Sequence, residues 1–233
     1  MKFFFAIIIS NLVGFAALAS DPTPQVVPAS YKNLYSPKGF DTNDNVQLTA
    51  EGTFASSCFK IAPPKITVSE TNKIITLDAQ AYKYSGMCMQ LMIPFQQVID
   101  LGIVKTAGLY KLQTADGRAL GEVDIVKART TQADDFLYAP VQRVSFTDGP
   151  TNQIQLRMEL SQSCLKVAEI KIDKQEHVIV LQPILKLEHR FGCAMGYYPV
   201  TQTVELGSMK PGRYLIHVRS SGSQAVNQII AVE

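Results

Sequence analysis

The chain has no tryptophan, and only three histidines and four cysteines among 233 residues. None of these scarce residues falls in a catalytic pattern. There is no Gly-x-Ser-x-Gly, which argues against the strained turn that presents a hydrolase serine. No Cys-x-x-Cys occurs, so a dithiol redox centre has no sequence to build on. No run of like charges exceeds a pair, the formal net charge is +2, and no basic stripe carries interleaved aromatics. A nucleic-acid surface is therefore not expected. Beyond residue 19 no apolar stretch is long enough to cross a bilayer as a helix.

What the first residues do contain is a lysine followed by an apolar run from Phe3, broken by Ser10 and Asn11 and ending in Ala17-Leu18-Ala19. That pattern predicts a signal peptide over residues 1–19 and a mature protein exported to the periplasm or outside the cell, with no transmembrane span after cleavage. No cysteine follows the apolar run, so no lipid anchor is expected. Residues 20–45, with Pro22, Pro24, Pro28 and Pro37, read as an extended Pro-rich leader lying against the first domain. Within it, Asp41-Thr42-Asn43-Asp44-Asn45 imitates the start of a calcium loop. Val46 replaces the turn glycine and Gly52 the bidentate glutamate, so an Asx-rich turn is the better reading.

The most informative feature is a duplication. Ser57-Cys58-Phe59-Lys60-Ile61-Ala62 and Lys65-Ile66 return as Ser163-Cys164-Leu165-Lys166-Val167-Ala168 and Lys171-Ile172. Cys88 with Pro94 is answered by Cys193 with Pro199, and Leu101-Gly102, Lys105, Gly108 and Tyr110 by Leu206-Gly207, Lys210, Gly212 and Tyr214. A period of about 105 residues suits a duplicated domain, not a solenoid. Apolar residues alternate with period two, as at Ile75, Leu77, Ala79 and Ala81 or Ile179, Leu181, Pro183 and Leu185, which is the pattern of strands. Pro183 has no N–H for a ladder and predicts an edge or a bulge. The expected organisation is a first β-sandwich domain over residues 46–128, a linker over 129–139 and a second over 140–233. Separate strands are predicted at 88–94 and 96–101.

Four cysteines allow three pairings, and export places them where disulfides persist. Only Cys58 with Cys88 and Cys164 with Cys193 leaves each copy self-contained, so structural bridges with that connectivity are predicted.

Met87, Met89 and Met92 crowd around Cys88, and thioethers can hold Cu(I) in an exported protein. On a strand Met87 and Met89 share one face and Met92 the other, and the second copy has Ala194 and Gly196 in this region. Core packing by flexible side chains is the preferred reading, with no metal and no cofactor. His177 and His189 bracket one predicted strand and stand some 40 Å apart at about 3.3 Å per residue, too far to share an ion. The residues proposed for partner binding precede the second cysteine of each copy: Tyr82, Lys83 and Tyr84, and Arg190 and Phe191. Aromatic and cationic side chains of this kind are enriched at interface hot spots.

Leu101-Gly102-x-x-Lys105-x-x-Gly108-x-Tyr110 and Leu206-Gly207-x-x-Lys210-x-Gly212-x-Tyr214 resemble the tyrosine corner of immunoglobulin-like domains. The antibody-type cysteine two residues on is Leu112 or Ile216 here. The resemblance implies a structural role for both phenols, each worth about 1 kcal/mol through its hydroxyl. The expected fold is all-β: two tandem immunoglobulin-like β-sandwich domains from an internal duplication, each with one disulfide. The expected function is non-enzymatic: a structural, adhesive or partner-binding module for a protein or envelope-surface partner. Pilus assembly chaperones are similar in having two immunoglobulin-like domains in a chain of this size, which implies an assembly chaperone as the alternative. An exported protease inhibitor, with a loop braced by Cys58 and Cys88, is the third expectation.

Overall fold

The structure, a computed structural model, describes residues 23–189 and 192–233. The signal peptide expected over residues 1–19 lies outside the described residues, and so do Arg190 and Phe191. Among the described residues every regular element is a strand. They are β1 (Gln25–Pro28), β2 (Asn33–Tyr35), β3 (Phe40–Asp41), β4 (Asn45–Phe54), β5 (Phe59–Ser69), β6 (Ile74–Lys83), β7 (Ile93–Ile103), β8 (Gly108–Gln113) and β9 (Ala119–Val126). Then follow β10 (Val141–Thr147), β11 (Gln153–Gln162), β12 (Leu165–Lys174), β13 (Val178–Leu187), β14 (Met195–Glu205), β15 (Gly212–Ser220) and β16 (Gln224–Val232).

In the N-terminal half β6 pairs antiparallel with β5 and parallel with β8, and β8 carries β9. The connection from β6 to β8 leaves the sheet, because β7 lies in another sheet with β4 and β2. Alternation explains why the sheets face each other: Val46, Leu48 and Ala50 of β4 and Ile99 of β7 meet Ile75, Leu77, Tyr110, Leu112, Val123 and Ile125 in one buried cluster. The C-terminal half repeats these pairings. There β13 pairs with β12 antiparallel and β15 parallel, β15 carries β16, and β11 pairs with β14. Its core joins Ile154, Leu156 and Met158 to Ile179, Leu181, Ile216, Val218 and Ile230.

The resemblance between halves reaches single hydrogen bonds. Ser57 N donates to Met89 O and Ser163 N to Ala194 O, both at 3.0 Å. Tyr110 Oη donates to Thr106 O at 2.7 Å, and Tyr214 Oη to Lys210 O at 2.9 Å, each reaching four residues back. Disulfides join Cys58 to Cys88 and Cys164 to Cys193, with Cα atoms 5.3 Å apart in both. Two such bonds mark a non-reducing environment.

Four details differ from the sequence reading. The expected leader over residues 20–45 is, in its described part from residue 23, more than a leader, because β1 zips onto β6, β2 onto β4 and β3 onto β9, covering edges that are otherwise open. Leu137 to Ala139, read as linker, bonds to β13: Ala139 N donates to Pro183 O and Leu185 N to Leu137 O. The β13–β15 pairing ends at Leu181, so Pro183 lies beyond the ladder on that side, which is how a strand inside the sheet tolerates it. Finally, residues 88–92 form no strand and β7 is continuous from Ile93 to Ile103. One glycine is dictated by space: a Cβ on Gly52 would lie 2.7 Å from Ser30 O and against the Phe95 ring.

Each disulfide closes a loop of about 30 residues. Replacing one pair by serine is expected to remove roughly 3.5 kcal/mol from the half concerned, measured by denaturant unfolding of the double variant. Tyr110→Phe and Tyr214→Phe are each expected to remove about 1 kcal/mol, and an unchanged melting curve for both would disprove the role assigned to the phenols.

Candidate functional site

Among the described residues no three His, Cys, Asp or Glu side chains gather as metal ligands. His177 and His189 flank β13 at opposite ends, and the His177 ring lies 5.6 Å from that of Tyr214. His217 is enclosed between the halves, its Nδ1 2.7 Å from Asn227 Oδ1 and its ring edge-on to Phe40 at 5.7 Å. The hollow bounded by Phe40, Asp44, Tyr138, His217 and Arg219 has room for about one water and none for a substrate. Asp41 and Asp44 close an Asx-type turn: Asp41 Oδ1 accepts from Asn43 N at 2.7 Å and Asp44 Oδ2 from Asp41 N at 3.0 Å.

The contact between the halves is a feature that sequence reading missed. Gln47, Thr49 and Glu51 occupy the β4 face opposite its apolar one, yet all three are buried. Leu215, His217 and Arg219 are the equivalent face of β15, also buried. Glu51 accepts from Asn33 Nδ2 at 2.7 Å, Tyr35 Oη at 3.0 Å and Arg213 Nε at 2.9 Å. Burial alone would raise its pKa, but these donors outweigh burial and hold the carboxyl below its ordinary range. Arg219 Nη1 donates to Asp44 Oδ2 at 3.2 Å, its other terminal nitrogen bonds Gly39 O, and its guanidinium lies over Phe40. Tyr35, Val178, Val180 and Leu215 add a small apolar cluster. The sequence shows these residues only as the polar half of an alternating strand, and alternation says nothing about what covers that half.

The exposed features lie elsewhere. Tyr82 sits inside the sheet between Lys60 of β5 and Val26 of β1 and is half-buried. Lys83 is exposed, and Tyr84 has the Lys60 ammonium 5.3 Å over its ring while its N–H donates to Cys58 O at 2.9 Å. The structure thus gathers Tyr82, Lys83, Tyr84, Cys58 and Cys88 at one end of the N-terminal half. The methionines overturn the core-packing expectation: Met87 is fully exposed, and Met89 and Met92 are 65% and 66% exposed. The cause is local. The disulfide and the Ser57–Met89 bonds tie the backbone here to the start of β5, and this stretch forms no strand and leaves its methionine side chains in solvent. Met195 and Tyr197 are similarly exposed in the other half.

Sheet edges differ too. β5 and β12, each ending a sheet, carry Lys60, Lys65, Lys166, Lys171 and Lys174 and a bulge apiece, the usual protection against pairing with another chain. β7 and β14 also end their sheets, and their pairings are bulged as well, at Leu101 and around Gly196–Tyr197. They have no lysine or arginine, and past Pro94 and Pro199 each carries a single acid, Asp100 or Glu205.

Burial holds His217 neutral and pushes its pKa down to about 4. The unfolded chain, with an ordinary imidazole near 6.5, then binds more protons than the folded one between these values, so stability falls as pH drops. A loss on the order of 3 kcal/mol between pH 6.5 and 4 is expected. Thermal melts across that range should show it, and His217→Gln should flatten the profile.

No protein-family model matches the chain, and no curated protein or solved structure matches it either.

Proposed function

We propose that the chain is an exported, non-catalytic module of two tandem immunoglobulin-like β-sandwich domains, duplicated from one, that docks a protein or envelope-surface partner. Support for the duplication comes from the matching pairings, disulfides and tyrosine bonds of the two halves. The observation that carries the docking reading is the contrast between edges. All four edge strands are bulged, but lysines guard β5 and β12, whereas β7 and β14 end their sheets with no cation on the strand. An extended segment of a partner adds to such an edge by main-chain hydrogen bonds, and exposed side chains such as Val98 and Tyr197 supply apolar contact.

A photo-crosslinking residue placed at Val98 or at Thr203, in the native host, is expected to capture one dominant partner. The same probe at Thr67 on β5 should capture little. Val98→Lys and Thr201→Lys, both at exposed positions, should abolish capture without lowering the melting temperature. Diffuse capture from both edges, or equal capture from Thr67, would overturn the reading.

A further inference from the structure

Single exposed apolar side chains are commonplace, but Met87, Met89, Leu91 and Met92 are four within six residues, all turned to solvent. The loop that carries them is held firmly. Cys88 is bonded to Cys58, Met89 N donates to Ser57 Oγ at 2.9 Å, and Met89 O accepts from Ser57 N at 3.0 Å. Leu91 N donates back to Met89 O at 3.1 Å, a tight local turn between Met89 and Met92.

The C-terminal half contains the control. Ala194 N donates to Ser163 Oγ at 3.0 Å, Ser163 N bonds Ala194 O, and Cys193 is bonded to Cys164, so the same pins hold the equivalent loop. At the distances from Cys193 that Met87, Met89 and Met92 keep from Cys88 stand Gly192, Ala194 and Tyr197. The scaffold therefore needs no thioether, and three of them in one copy call for another reason. With strand geometry absent, nothing sends Met92 to the opposite face from its neighbours.

We propose that Met87, Met89 and Met92 form a binding site for a soft monovalent d10 cation, Cu(I). Thioether sulfur is uncharged, has no proton to lose and prefers soft ions to zinc, calcium or magnesium. Where all four cysteines are oxidised, thiolate is unavailable and thioether is the soft donor that remains. Lys60 and Lys83 are the charged groups at this end of the half, and they disfavour a divalent ion more than a monovalent one. The ion binds and leaves as Cu(I), with no electron transferred. This site goes beyond the docking reading and does not rest on it.

The test uses the mature, oxidised chain with methyl-labelled methionine. Ag(I), the redox-inert analogue, should shift the methyl signals of Met87, Met89 and Met92 together at one equivalent and leave those of buried Met158 and of Met195 in place. Under anaerobic conditions, competition with a Cu(I) chelator should give one ion per chain. The triple change Met87→Leu, Met89→Leu and Met92→Leu should weaken binding by about a hundredfold or more, while Met195→Leu changes nothing. These positions are exposed, so an unchanged melting curve will show that the variant is folded. No binding by the natural chain, a shift confined to one methionine, or affinity of the triple variant within about threefold of the natural chain would each overturn the site. Capture from Val98 and Thr203 is read separately, so either proposal can fail alone.

Discussion

A carboxylate taken out of water must be given charged or strongly polar partners, and Glu51 imposes that condition on both ends of the molecule at once. Its donors come from β2, through Asn33 and Tyr35, and from β15, through Arg213. Asp44 makes a second demand of the same kind, met by Arg219 six residues further along β15. Both acids therefore belong to the N-terminal half and both cations to one face of a single strand. Sliding β15 by two residues would bring a different side chain to each acid and leave a buried charge uncompensated, which costs several kcal/mol. The ion pairs thus specify how the halves meet, whatever they add to stability.

That condition also explains the N-terminal strands. β2 is three residues long and could not persist alone, yet it supplies two of the three donors to Glu51 and lays Tyr35 into the small cluster with Val178, Val180 and Leu215. β3 carries Phe40 to the His217 ring and ends at the Asp41–Asp44 turn that presents the second carboxylate. A segment that looks like a preface in the sequence is the packing material of the joint.

Alternation made the apolar faces of β6 and β13 legible, and the internal repeat made the cysteine pairing legible. The covered polar faces were not, because Gln47, Thr49 and Glu51 have the spacing and chemistry of a wetted face; only the position of the other half decides. The short N-terminal strands escaped for a related reason, since β1 to β3 are stabilised by the edges they cover and have too few residues to display a period. The methionines misled because their hydrophobicity reads as core. The corrective signal was present in the matching segment of the C-terminal half, where Gly192, Ala194 and Tyr197 stand in place of the three methionines.

The two disulfides also bear on load. Cysteines separated by 30 and by 29 residues remove about 100 Å of extensible chain from each half, at roughly 3.4 Å per extended residue. If the chain is drawn out by its ends, β6 and β13 stay inside closed covalent loops, and the tension passes through the sulfur bridges around them. Stretching can strip β1 to β3 and the joint between the halves, but it cannot unravel β5–β6 or β12–β13 end to end. A chain under tension therefore retains a covalently closed hairpin in each half, β5–β6 in one and β12–β13 in the other.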